Sequence, residues 1–168
     1  MAYFPIFVKA ERQRALVFGN GEEAKKKLDI LLDFGFDAEP KETFSEEMLS
    51  PTPTLVVVDT DDSELAECIY VACMRRNIPI NTVDKPQFCS FYFSANIKTK
   101  YLTVGVSTGG MAPGATSIIR DRIKKEIPEN IDGVIDNIAE IRNRAKEEIE
   151  DPAIRRKYLR EKTKELLK

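Results

Sequence analysis

Gly19-Asn20-Gly21-Glu22-Glu23-Ala24 follows the apolar run Ala15-Leu16-Val17-Phe18 and leads into a segment of helical periodicity. A G-x-G-x-x-A turn in that position commits the chain to a strand, a tight turn and a helix, the opening of a βαβ unit. Gly19 permits the turn out of the strand, Gly21 lets backbone N–H groups approach a pyrophosphate, and the small Ala24 lets the helix pack close to the strand. The helix N-terminus adds the positive end of a dipole. Glycine-rich strand-to-helix turns also occur without a ligand, so the placement of the motif carries more than the motif itself.

The rest of the pattern supports that placement. A first strand is expected at Arg14–Phe18 and a helix at Glu22–Phe34, with Ala24, Leu28, Leu31 and Leu32 on one face and Gly35 as C-cap. A second strand at Asp37–Lys41 contains Pro40, which places it at a sheet edge. Thr54-Leu55-Val56-Val57-Val58-Asp59 is a continuous apolar run of the kind buried on both faces of a parallel sheet. Asp62 or Ser63 caps a helix reaching about Asn77, and Pro79–Val83 forms another strand. This β-α-β-α-β alternation implies a doubly wound sheet, whose ligands bind beyond the C-terminal ends of the strands. The strand ends are polar: the glycine turn, Asp59-Thr60-Asp61-Asp62 and Asp84-Lys85. Glu39, twenty residues past Gly19, has the spacing of a carboxylate that binds ribose, which favours NAD over NADP.

Past Asp84 the pattern changes. Phe91–Ile97 and Tyr101–Ser107 are strands joined by Lys98-Thr99-Lys100, a hairpin and not a crossover. Ser107-Thr108-Gly109-Gly110 then precedes a helix from Pro113 to about Ile127, a candidate anion cradle. In the charged tail, Ile131, Val134, Ile135, Ile138 and Ile141 form an apolar stripe that needs a partner surface, and Asp151-Pro152 restarts a last helix.

Composition closes several routes. With 168 residues and 42% hydrophobic content the chain can bury one good core and an appendage. The formal charge of −2 gives no general attraction to nucleic acid, and no apolar stretch is long enough to span a bilayer. With no signal-peptide pattern at Met1-Ala2-Tyr3-Phe4-Pro5, a cytoplasmic protein is expected. Cys68, Cys73 and Cys89 are odd in number and lack C-x-x-C spacing, which points to reduced thiols and no metal site. There is no histidine, so acid–base chemistry falls to carboxylates, lysines, tyrosines or thiols.

Tyr3-Phe4-Pro5-Ile6-Phe7, the Gly19-to-Ala24 turn with Lys26-Lys27, Thr60-Asp61-Asp62, Asn81-Thr82-Val83-Asp84, Cys89-Ser90-Phe91, Ser107-Thr108-Gly109-Gly110 and Asp151-Pro152-Ala153-Ile154-Arg155-Arg156 occur in this order. Together they resemble precorrin-2 dehydrogenase, the NAD-dependent module also found at the N-terminus of siroheme synthases. Asn20 departs from the family turn, where glycine is common, as do Ala66, Thr108 and a shortened segment before Thr54.

The resemblance implies a Rossmann-like domain over residues 1–88, a dimerisation hairpin and substrate loop over 89–112, and a helical domain over 113–168. It implies oxidation of precorrin-2 to sirohydrochlorin with NAD as cofactor, in a homodimer that forms the tetrapyrrole cleft. The cofactor set it implies is Gly19, Asn20, Gly21, Glu22, Glu23, Glu39, Thr43, Phe44, Thr60 and Asp61. Asp84 is the expected catalytic acid or base, with burial beside the cofactor raising its pKa. Asn81, Ser107, Thr108, Gly109 and Gly110 are expected at the substrate, with Lys98, Lys100, Arg120 and Arg122 steering an acidic ligand. Two alternatives stay open: a bifunctional dehydrogenase and chelatase, and a regulatory NAD-binding module without chemistry.

Overall fold

Arg14–Phe18 forms β1, and its residues send side chains alternately to opposite faces, Leu16 and Phe18 to one and Ala15 and Val17 to the other. A strand apolar on both faces can only be satisfied by cover on both sides, and the computed structural model, which describes residues 3–167, supplies it. Helix α1 (Glu22–Phe34) contributes Ala24 and Leu31 to one face. Helix α2 (Ser63–Arg75) contributes Ile69, Ala72 and Cys73 to the other. Strands β2 (Asp37–Lys41), β3 (Leu55–Val58) and β4 (Ile80–Thr82) complete a parallel sheet in the order β2-β1-β3-β4.

The local signals explain the boundaries. Gly35 closes α1 at φ +93°, with its N–H on Leu32 O, and Asp62 caps α2 by accepting from Glu64 N and Leu65 N. Pro40 sits in β2, which is the sheet edge, as expected of a residue with no N–H to donate. The sheet order reverses between β1 and β3, because β2 lies on one side of β1 and β3 on the other. That switch point fixes where a ligand can enter.

The chain divides into two compact units between Phe93 and Ser94. The second unit holds the antiparallel pair β5 (Ala95–Lys98) and β6 (Thr103–Val106), followed by α3 (Pro113–Glu126), α4 (Ile131–Glu148) and α5 (Pro152–Leu166). Hairpin and helices form one body here: α3 packs on both strands, and Asp132 of α4 accepts from Thr99 Oγ1 (2.6 Å), Tyr101 N (3.0 Å) and Lys100 N (3.1 Å) at the hairpin turn. Those three bonds, with the Thr99 hydroxyl contributing most, hold the Asp132 carboxyl below its ordinary pKa. The apolar stripe of α4 is not left bare. Ile131 and Val134 are buried, Ile135, Ile138 and Ile141 are half-buried, and α5 packs on the same helix. The exposed large hydrophobics of this unit among the described residues are instead Tyr101, Met111, Ile118, Ile119, Ile154, Tyr158 and Leu167.

Candidate nucleotide cleft and catalytic rim

A cleft of about 510 Å³ opens where β1 and β3 end, at the switch point. Phe18, Leu65 and Ile69 supply apolar wall, Phe44 stands edge-on to Phe18 with ring centroids 5.4 Å apart, and Gly19, Asn20, Gly21 and Thr43 line the polar side. Thr60 and Asp61 line it too, so seven of the expected cofactor residues come together on one surface.

Gly19 explains itself by geometry. Its φ is +113°, and a Cβ there would lie 2.1 Å from the carbonyl oxygen of Asp59. Its N–H reaches Lys41 O (3.0 Å) while Asp59 N–H reaches Phe18 O (2.8 Å), so three strand ends are drawn together at this residue. At Gly21 the neighbour is a movable side chain, an added Cβ lying 2.4 Å from Asp59 Oδ2. That oxygen accepts from Ala24 N at 2.9 Å, at the open N-terminus of α1, whose own N-cap Gly21 offers no side chain. Asp59 was read from sequence only as part of a polar strand end. Its return to the helix depends on the β1–β3 register, which no local pattern encodes.

Three members of the expected cofactor set stand elsewhere. Glu22 and Glu23 are in the first turn of α1 and pair with Lys26 at 2.9 and 3.0 Å. Glu39 is outside the cleft lining, its carboxylate held by Lys41 (2.7 Å) and Arg14 (2.9 Å), hydrogen bonds that lower its pKa in that order. Glu42, the first residue after β2, lines the cleft, as do Asp59, Asp61 and Asp62.

At the end of β4, Asn81 is buried and its amide donates to Phe91 O (3.0 Å) and contacts Cys89 Sγ (3.6 Å). It was expected at the substrate, but its donors are committed to holding the following loop. Thr82 joins it, with Oγ1 donating to Phe88 O (3.0 Å) and its backbone N–H to Cys89 Sγ (3.2 Å). Burial pushes the Cys89 thiol up, in keeping with a structural thiol. Asp84 follows in the left-handed region at φ +55° and is exposed. Next to it, Lys85 Nζ donates to Thr60 O (2.6 Å), tying the rim of β4 to the end of β3.

In the second unit, Gly109 and Gly110 turn the chain at φ +62° and +82° ahead of α3. Thr108 Oγ1 and Thr116 Oγ1 share a 3.0 Å hydroxyl contact, Thr116 Oγ1 also reaches Ala112 O (3.0 Å), and Thr108 Oγ1 accepts from Ala112 N (3.1 Å), so both hydroxyls shape the turn. Ser107 Oγ accepts from Gly109 N (3.1 Å), and the side chain is exposed with its hydroxyl proton available.

Residues 36–95 match the "Putative NAD(P)-binding" family, a span that covers β2 to β4 and ends at the first residue of β5. The chain is 31% identical over 178 residues to a siroheme synthase of Methylococcus capsulatus, spanning 94% of this chain and 38% of that protein. It is 29% identical to the siroheme synthase of Hydrogenovibrio crunogenus, spanning 90% of this chain and 37% of that one. The solved structure of SirC, a precorrin-2 dehydrogenase, superposes with a TM-score of 0.72 over 98% of this chain and 97% of the other, at 16% identity. Over nearly its whole length the chain is similar to part of these siroheme synthases, and it shares the fold of SirC. It spans under two fifths of the length of the siroheme synthases it matches. The NAD(P)-binding match supports a nicotinamide cofactor for this chain. Among the described residues no helix is long and apolar enough to cross a membrane.

Proposed function

We propose that this chain oxidises precorrin-2 to sirohydrochlorin with NAD+ as acceptor, in the cytoplasm and as a homodimer. The observation that carries the reading is the cleft at the switch point, built on Gly19 and Gly21, in a chain aligned over 94% of its length with a siroheme synthase. The residues present fit the adenosine half of the cofactor: an apolar wall from Phe18, Phe44, Leu65 and Ile69 for the base, and Glu42 at the end of β2 for the ribose hydroxyls. When bound, the nicotinamide ring supplies the two-electron acceptor.

This chain's own residues do the rest. Asp84, presented on the rim at φ +55°, is the carboxylate that takes the proton leaving the macrocycle. Ser107, with Gly109 and Gly110, engages a substrate carboxylate ahead of α3. Glu42, Asp59, Asp61 and Asp62 line the cleft, so the extra phosphate of NADP+ would meet uncompensated negative charge. This supports NAD+ as the cofactor.

The test is NADH formation from precorrin-2 and NAD+, compared between the wild type and Asp84→Asn. Asparagine keeps size and hydrogen bonding but cannot take a proton, so turnover should fall on the order of 10²–10⁴-fold with NAD+ affinity unchanged. Wild-type turnover in Asp84→Asn would remove Asp84 from the chemistry. Absence of any NADH signal in the wild type would overturn the reaction itself.

A further inference from the structure

One anion already occupies the N-terminus of α1, and the chain supplies it. Asp59 Oδ2 accepts from Ala24 N at 2.9 Å, in the space above Gly21 that a Cβ would close to 2.4 Å. In a dinucleotide fold this is where the pyrophosphate lies, over the second glycine and against the first helical N–H groups. A carboxylate and a diphosphate compete there for both space and donors. Charge makes the competition one-sided, since Glu42, Asp61 and Asp62 line the same cleft and no lysine or arginine side chain does.

We propose that Asp59 is an intramolecular competitor for the pyrophosphate subsite, its carboxylate leaving Ala24 N each time a dinucleotide binds. The inference rests on the dinucleotide reading of the cleft. Asp59 can move without the sheet moving. Its backbone is fixed by the 2.8 Å bond to Phe18 O and by the close approach of its carbonyl to Gly19, whereas the side chain is half-buried and borders the open cleft. Rotation about χ1 vacates the site and leaves the strand in place. The resident carboxylate thus caps α1 while the cleft is empty and weakens nucleotide binding in proportion to the cost of displacing it.

The measurement is calorimetric binding of adenosine, ADP and NAD+ to the full chain in wild-type, Asp59→Asn and Asp59→Ala forms. A carboxylate beside a diphosphate at the mouth of a helix is worth a tightening on the order of tenfold or more for ADP and NAD+ when its charge is removed. Adenosine has no phosphate and should bind all three forms alike. A residue that only caps the helix would lower the unfolding temperature on substitution without separating ADP from adenosine. Wild-type binding of ADP and NAD+ that is unchanged or weaker in Asp59→Asn, or a parallel gain for adenosine, would overturn the competitor alone. No binding of ADP or NAD+ by any form would overturn the dinucleotide reading and the competitor with it. Asp59→Asn keeps size and an acceptor for Ala24 N, so it tests the charge even where Asp59→Ala loosens the turn.

Discussion

Replacing Gly19 by alanine separates what a fingerprint glycine does for the fold from what it does for a ligand. Two costs add at this position. The backbone sits at φ +113°, where an L-residue pays about 1–2 kcal/mol. The new Cβ would stand 2.1 Å from the Asp59 carbonyl oxygen, with backbone on both sides of the contact, and forcing such an overlap costs on the order of 1–3 kcal/mol. Gly35→Ala is the internal control: its φ is +93° and nothing lies within 4 Å of the added atom, so only the backbone cost of about 1–2 kcal/mol applies. Native-state hydrogen exchange of β1 and β3 amides reads the stability of this sheet without requiring the two units to unfold together. Gly19→Ala should lower that stability by about 2–5 kcal/mol, exceeding Gly35→Ala by the overlap alone. Equal losses in the two variants would refute the claim that close approach of β1 and β3, beyond positive φ, demands glycine at 19.

Three further outcomes follow from particular contacts. Asn81→Ala should lower turnover on precorrin-2 while leaving NAD+ affinity unchanged, because it frees the loop bonded to Asn81 at Phe91 without touching the cleft lining; a change in calorimetric NAD+ affinity with turnover intact would contradict this. Glu39 has its pKa lowered by Lys41 and Arg14, so its contribution to stability is complete above the ordinary glutamate value of about 4.3 and is lost as pH falls through the lower folded value. Glu39→Gln should flatten that acid limb in a urea titration series, and an unchanged slope would show the pairs to be inert. Sedimentation velocity should give a dimer, the exposed Phe4, Ile6, Phe7, Ile118 and Ile154 being the apolar surface available to cover; a monomer active on the tetrapyrrole would reject it.

The Rossmann-like part of the fold was legible because its signals are local. The apolar run at 15–18, Gly35 after α1, Pro40 in the edge strand and Asp62 before α2 each act over a few residues and landed within two residues of the observed boundaries. The site was legible only where the backbone turn makes it, at Gly19, Gly21 and the Thr60-Asp61 strand end. Side-chain roles that depend on tertiary register were not. Glu39 had the right spacing in sequence, but its strand position pairs opposite Leu16, where Arg14 and Lys41 claim the carboxylate, and Glu42 reaches the cleft instead. The α4 stripe looked unpartnered because amphipathicity reports that a face must be covered and not by what. Here its own unit covers it.

Under the proposed function the N-x-V-D segment divides between scaffold and chemistry. Asn81 and Thr82 are buried and spend their side chains on Phe91 O and Phe88 O, while Ser90 Oγ accepts from Ile80 N (2.9 Å) and the Cys89 thiol donates to Thr82 O (3.2 Å). Four residues of the loop are thereby pinned to three of β4, far more restraint than a turn requires. What that restraint supports is the next residue but one. A non-glycine side chain at φ +55° costs on the order of 1–3 kcal/mol and persists only where its surroundings over-determine it. Aspartate tolerates this conformation better than most residues, and an exposed carboxylate at the C-terminal end of a parallel strand stands on the rim where such sheets place their ligands. The buried Asn81 amide and the half-buried Cys89 thiol are therefore the reason Asp84 has a fixed position, and under the proposed function they act on a substrate only through it.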